Sequence, residues 1–211
     1  MLNIITKTEK QSTWAALKAA IHNGVADKVI HSGDMIPVTL KNGKKLVLDV
    51  TRDEKGEIYF IFHDCLSERH CMNMGGTTKG GWAATNMRKY IHEEILPLLP
   101  DDLQAAIEPT KIVQIINGER IECEDKLFCL SYTQIFGKDW PWMNEREPED
   151  SQLDIFMTER ARVKEIDGET AWWWLRSAYD YSYFFRVNSG GSNYYGAYAY
   201  ISGGVALGFK L

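Results

Sequence analysis

The chain has 211 residues, enough for one large domain or two small ones and for a substantial core. An apolar fraction of 45% and a net charge of −5 describe a folded globular protein and argue against a nucleic-acid or anionic-membrane binder, both of which need a basic face. No apolar run approaches the ~18 residues of a membrane-crossing helix, so no membrane insertion is expected. The opening MLNIITKTEKQSTW lacks an apolar signal core behind a basic tip. A cytoplasmic location is therefore the default expectation, with association with a virion left open.

Ser12 and Thr13 are good helix N-caps and Gly24 a good stop. Trp14, Leu17 and Ile21 recur between them at helical spacing, which predicts an amphipathic helix over 13–23. Two apolar runs, 35–40 and 45–50, flank Asn42-Gly43, a strong hairpin signal, and a third strand follows over 57–66. Residues 1–66 thus read as a helix followed by hairpins. The Gly-Gly-Thr-Thr stretch within 72–79 and Gly80-Gly81 predict a loop, without the Gly-Lys-Ser/Thr ending of a phosphate loop. Thr85 caps a helix that puts Met87, Tyr90, Ile91, Glu94 and Ile95 on one stripe, and Pro97 and Pro100 end it. Asp101-Asp102 open a short helix.

Asn117-Gly118 predicts a second hairpin, 126–130 a buried strand, and Ser131 the cap of a short helix ending before Gly137. Residues 138–150 read as a packed surface loop, with Glu147-Pro148-Glu149-Asp150 as its solvated acidic part. A helix over 152–162 and a turn at Asp167-Gly168 lead into the tail. Cys65, Cys71, Cys123 and Cys129 form two C-x5-C pairs, which is not a zinc-ribbon spacing, and free thiols are expected. His63, Cys65, His70 and Cys71 lie close in sequence. The alternation through Tyr59, Ile61, His63 and Cys65, however, reads as one face of a strand rather than as a metal site.

The last forty residues differ from the rest. Seven of the ten tyrosines fall between Tyr179 and Tyr200, and Lys, Glu, Gln, Met and Trp are all missing from 177–209. Tyr supplies large, rather rigid, amphipathic contact area, while Ser, Gly and Asn supply adaptable hydrogen bonds, which is the composition of binding loops. It also fits a plain aromatic-rich meander, because Tyr and Phe are good strand formers. Trp172, Trp174, Leu175, Val205, Leu207 and Phe209 carry a core signal, and Val205 to Leu211 alternate as a closing strand. Arg176 needs a carboxylate or carbonyl partner if buried. Tyr194, Tyr198 and Tyr200 are expected on one side of a strand, with Ala197 and Ala199 on the other. The surface candidates are Tyr179, Asp180, Tyr181, Ser182, Tyr183, Asn193, Tyr194, Tyr195, Tyr198 and Tyr200. Phe184 and Arg186 stay unassigned between core and surface.

The motifs WWLRS, FRVNSGGS and GVALGFKL, with WAATNMRKYIHEEILPLLPDDLQAAI and DKLFCLSYTQIFG in mid-chain, resemble a bacterial and phage family of C-type-lectin-like fold. The resemblance implies a single α+β domain, also like formylglycine-generating enzymes, with antiparallel sheets and a few flanking helices. Within that group the tail, 172–211, looks like the variable region of a diversity-generating retroelement target protein. Such systems mutate adenines, often in codons with two adenines before a pyrimidine. Those codons can become Asn, Tyr, Ser, Asp, Phe, Gly or Ala but never Lys, Glu, Gln, Met, Trp or stop, matching residues 177–209.

The implied function is non-covalent binding of a protein or cell-surface ligand, with no cofactor, metal or catalytic residue and an oligomeric state left open. The alternatives are an undiversified phage or bacterial structural or adhesin domain and a formylglycine-generating-like enzyme. The enzyme needs cysteines near the C-terminal region, whereas the last one here is Cys129. Sugar-binding lectins use Glu-Pro-Asn or Gln-Pro-Asp motifs, and the tail has no proline.

Overall fold

A computed structural model of the chain describes residues 13–116, 118–137 and 147–211, except for the side chains of Tyr194 and Tyr195. In chain order the helices are α1 (Trp14–His22), α2 (Asn86–Tyr90), α3 (Asp101–Ala106), α4 (Tyr132–Phe136) and α5 (Glu159–Arg162). The strands of the first two thirds are β1 (Met35–Thr39), β2 (Lys45–Arg52), β3 (Ile58–Phe62), β4 (His70–Cys71), β5 (Thr110–Ile116), β6 (Glu119–Asp125) and β7 (Phe128–Cys129). The last third adds β8 (Lys164–Ile166), β9 (Glu169–Ala171), β10 (Trp173–Ala178), β11 (Tyr183–Val187), β12 (Asn193–Tyr198), β13 (Ser202–Gly203) and β14 (Leu207–Phe209). The molecule is thus mixed α+β, built mostly from antiparallel sheets with few helices.

The principal sheet has five strands in the order β1-β2-β3-β14-β7. Its first hairpin forms where Asn42-Gly43 places it, with Thr39 opposite Lys45 at the turn end. The closing strand β14 does not lie on an edge. It enters between β3 and β7, with Phe209 opposite Phe60 and Leu207 opposite Cys129. That position explains two departures from the alternation read in the sequence. β3 is buried on both faces and ends at Phe62, leaving His63 exposed beyond it. Ala206 and Gly208 are buried alongside Val205, Leu207 and Phe209. A central strand covered on both sides has no polar face to display.

One cluster of buried apolar side chains runs from Trp14 to Leu211. Phe60 stacks on Phe209 at 5.3 Å between ring centres, and Trp14 meets Phe60 edge-on at 5.9 Å. α1 begins at the cap expected, the Thr13 side chain accepting from the Ala16 amide; Ser12 lies outside the described residues. Ser131 and Gln134 form a reciprocal capping box on α4. Two helical expectations change. The helix capped by Thr85 is α-helical only to Tyr90, then widens into a π turn over Ile91–Ile95 and tightens at Leu96–Leu98, where Pro97 ends it. In place of a helix over 152–162 there are two short turns, Asp154–Phe156 and α5, separated by the Thr158 cap. Asn117 of the second expected turn lies outside the described residues, and its flanking strands β5 and β6 pair from Ile116–Glu119 outward.

The tail builds a second sheet, β10-β11-β12. β10 is buried along its whole length and ties this sheet to the main one. The Arg176 amide donates to the Leu130 carbonyl beside β7, and the Trp174 amide donates to the Gly204 carbonyl just before β14.

Candidate binding surface

The platform starts at β10. Trp173, Trp174 and Leu175 are all fully buried, and the Trp174 indole N–H donates to the His70 carbonyl at 2.9 Å. Trp172 is half-buried instead; it meets Trp174 edge-on at 4.9 Å and carries the Arg186 guanidinium over its ring at 4.9 Å. Phe184 turns to the core, so of the two unassigned residues the aromatic is inside and the half-buried arginine lies against the Trp172 ring. At Gly203 a Cβ would come within 2.2 Å of the Trp172 ring, so only glycine lets β13 pass there.

A buried polar network holds β10 from below. Arg176 donates to the Cys129 carbonyl and Gln134 Oε1, each at 2.9 Å, and also to the Asp150 carboxylate. Its guanidinium lies 5.5 Å from the Phe128 ring centre. Glu147 Oε1 accepts from Gln114 Nε2 and from the Ser177 hydroxyl, both at 2.8 Å. The Ser177 oxygen in turn accepts the Tyr132 amide at 2.7 Å. Gln114 completes the network by accepting the Trp82 amide at 2.7 Å.

The solvated acidic loop expected at Glu147–Asp150 is therefore corrected in part. Glu147 is 2% exposed and faces the underside of the tail, while Glu149 stays outside in an ion pair with Arg120. Arg176, buried by its neighbours, needs the carboxylates that this loop delivers. Burial pushes the Glu147 carboxyl above its ordinary range, opposed by the charge of Arg176. The rest of the predicted surface loop, 138–146, lies outside the described residues.

On this frame the ten candidates separate. Tyr181 is 75% exposed, Tyr200 53% and Tyr198 44%. Tyr198 is the connecting ring: it lies 4.1 Å from Tyr183, its cross-strand partner, and stacks on Tyr200 at 5.3 Å. The Tyr183 hydroxyl is pushed up to about 12, first by its hydrogen bond with Tyr198. Tyr179 sits one layer lower, half-buried, edge-on to Phe185 at 5.1 Å and to Tyr183 at 6.4 Å. Rings therefore run without a break from solvent to the core.

The polar candidates mostly hold the backbone. Asp180 Oδ1 accepts the Ser182 and Tyr183 amides at 2.8 and 3.0 Å, forming the turn that presents Tyr181. Ser182 is half-buried, and its carbonyl accepts the Ala199 amide. Asn193 is exposed, with its amide nitrogen donating to the Tyr132 hydroxyl at 3.0 Å. The backbone of Tyr194 pairs with Arg186, and the side chains of Tyr194 and Tyr195 lie outside the described residues. Tyr200 is not on the strand with Tyr198, as expected, but in the turn after it. Opposite them, Ala199 is buried and Ala197 half-buried.

The sequence reading missed the second support of this face, the loop 72–81. The Thr78 amide donates to the Tyr181 carbonyl at 3.0 Å and its hydroxyl to the Asp180 carbonyl. The Asn73 amide donates to the Ala199 carbonyl at 2.8 Å. The Gly-Gly-Thr-Thr pattern marked a loop, and nothing local to it points to a partner a hundred residues away. Among the described residues, no three His, Cys, Asp or Glu side chains come together as metal ligands. Burial pushes the Cys65 and Cys123 thiols up to about 12 and the Cys129 thiol higher still, which keeps them uncharged. No described helix is long and apolar enough to cross a membrane.

Residues 43–206 match the family model described as Domain of unknown function (DUF6273), a span that takes in the Glu147 network and nearly all of the tail. No match is found among curated proteins or among solved structures. With well over half of its length matched, the chain belongs to the DUF6273 family.

Proposed function

We propose that the chain is a single-domain binding protein of C-type-lectin-like fold whose tail, 172–211, is a retroelement-diversified surface for a protein ligand. The observation that carries this reading is the contrast within one sheet. β10 is buried throughout and fixed by the Arg176 and Glu147 network, while Tyr181, Tyr198 and Tyr200 on the connected strands and turns are left in solvent. Adjacent exposed aromatics on a rigid support bury apolar area on a partner at small conformational cost, and their hydroxyls complete hydrogen bonds at its rim. Contact of this kind needs no general base, metal or reactive thiol.

Support for the fold comes from the return of β14 to the sheet laid down by the first third, with the tail's own sheet projecting between. The residue alphabet of 177–209 supports diversification. The test is in the neighbouring DNA. A near-copy of the tail's coding sequence, differing at adenines and lying beside a reverse transcriptase gene, is expected. Its absence, or differences spread over all four bases, would sink the diversification and leave an undiversified structural or adhesin domain.

A further inference from the structure

Away from the tyrosine face, an open cleft of about 520 Å³ lies between the turn end of the β1–β2 hairpin and the helix that follows α2. That volume suits a small organic molecule. Leu46, Phe62, Leu66 and Ile95 supply apolar walls, and the Cys65 thiol, uncharged for the reason given above, adds to them. The π turn over Ile91–Ile95 forms one side. Single π turns within helices are rare and occur frequently at functional sites.

The polar groups are unevenly placed. On the helix and loop side, Glu68 and Glu94 both act on the half-buried Tyr90 hydroxyl, which burial and then these two charges hold above its ordinary range. His70 stacks on the Tyr90 ring at 4.1 Å and is tied through Nδ1 to the Cys71 carbonyl at 2.9 Å, so the phenol is fixed from behind. Glu68 and Glu94 make no ion pair among the described residues. Lys44 and Lys45 on the hairpin side also make none, but both are exposed, and their four-carbon stems carry the charge into water. The carboxylates Asp64, Glu68 and Glu94 outnumber the two ammoniums at the rim.

We propose that this cleft binds a small amphipathic amine, its apolar body against Leu46, Phe62 and Ile95 and its ammonium between Glu68 and Glu94 beside the Tyr90 hydroxyl. The assignment is independent of the role given to the tyrosine face.

Three probes of equal tail length separate the chemistry: n-octylamine, n-octanol and n-octanoate, titrated into the full chain at pH 7 by calorimetry and by amide chemical shifts. Octylamine should bind saturably, with shifts confined to 37–47, 62–68 and 90–98, about tenfold more tightly than octanol. Octanoate should bind most weakly. The double variant Glu68→Gln/Glu94→Gln changes two exposed side chains and should melt like the parent. It should bring octylamine to the level of octanol while leaving octanol unchanged, and Lys44→Gln/Lys45→Gln should keep the preference for the amine. Octanoate binding as tightly as octylamine, an amine preference that survives loss of both glutamates, or no saturable binding by any probe would each overturn the proposal.

Discussion

Replacing Tyr181 and Trp174 by alanine, one at a time, tests the division between platform and patch. A tyrosine offers on the order of 200 Å² of side-chain surface, and Tyr181 is 75% exposed, so roughly a quarter of that is removed from water. At about 25 cal/mol per Å², Tyr181→Ala should cost about 1 kcal/mol at most. Trp174 is fully buried and its indole holds the His70 carbonyl, so Trp174→Ala loses the whole ring, opens a cavity and orphans an acceptor. The expected cost is about 3–5 kcal/mol. For a chain of this length that difference separates a melting shift of a few degrees from one of roughly 6–20 °C. Urea unfolding at 25 °C followed by circular dichroism gives both values directly. A cost above about 2 kcal/mol for Tyr181→Ala, or below about 1 for Trp174→Ala, would place the tyrosine in the fold or the tryptophan outside it, and the reasoning would fail.

Four further outcomes are expected. Arg176→Met should destabilise by about 3–5 kcal/mol because it strands the Asp150 carboxylate and Gln134, and the additional change Asp150→Asn should recover part of that loss in a double-mutant cycle. Glu147 titrates above its unfolded value, so its contribution to stability is full in acid and is lost as pH rises from the ordinary carboxylate range through the raised folded value. Urea midpoints measured against pH should therefore fall across that window, and Glu147→Gln should flatten the fall. Iodoacetamide at pH 8 should label Cys71, which burial perturbs least among the four thiols, well before Cys65, Cys123 and Cys129, as read by mass spectrometry. Gly203→Ala should destabilise by about 1–3 kcal/mol or more, since its methyl would overlap the Trp172 ring, whereas Gly43→Ala meets no neighbour and pays only for its positive φ.

Local signals in the sequence were read well because local chemistry sets them. Thr13, Thr85 and Ser131 cap helices, and Asn42-Gly43 turns a hairpin, through contacts spanning only a few residues. The need of Arg176 for a carboxylate or carbonyl was legible too, since no other environment tolerates a buried guanidinium. Which carboxylate would come was not legible. Glu147 and Asp150 sit in a run of charge that looks solvated, and only the tertiary fold brings it under β10. The composition of the tail set one segment apart but did not sort its residues into exposed and engaged ones. Asp180 and Asn193 belong to the paratope alphabet yet are engaged in holding a turn and the Tyr132 hydroxyl, while Thr78, a support of the same face, lies far outside it. The π turn had no signal at all, because a stripe of Met87, Tyr90, Ile91 and Ile95 fits either helical pitch.

The placement of β14 between β3 and β7 bears on how the molecule is made. During synthesis Ile58–Phe62 and Phe128–Cys129 emerge long before the strand that joins them, so each presents an unpaired apolar edge while the ribosome is still working. Pairing across such a separation is slow, because most of the loop-closure entropy must be lost before any contact repays it. Any substitution between β10 and β13 that delays this late step leaves the bare edges of β3 and β7 open to chaperones, or to another copy of the chain, for longer.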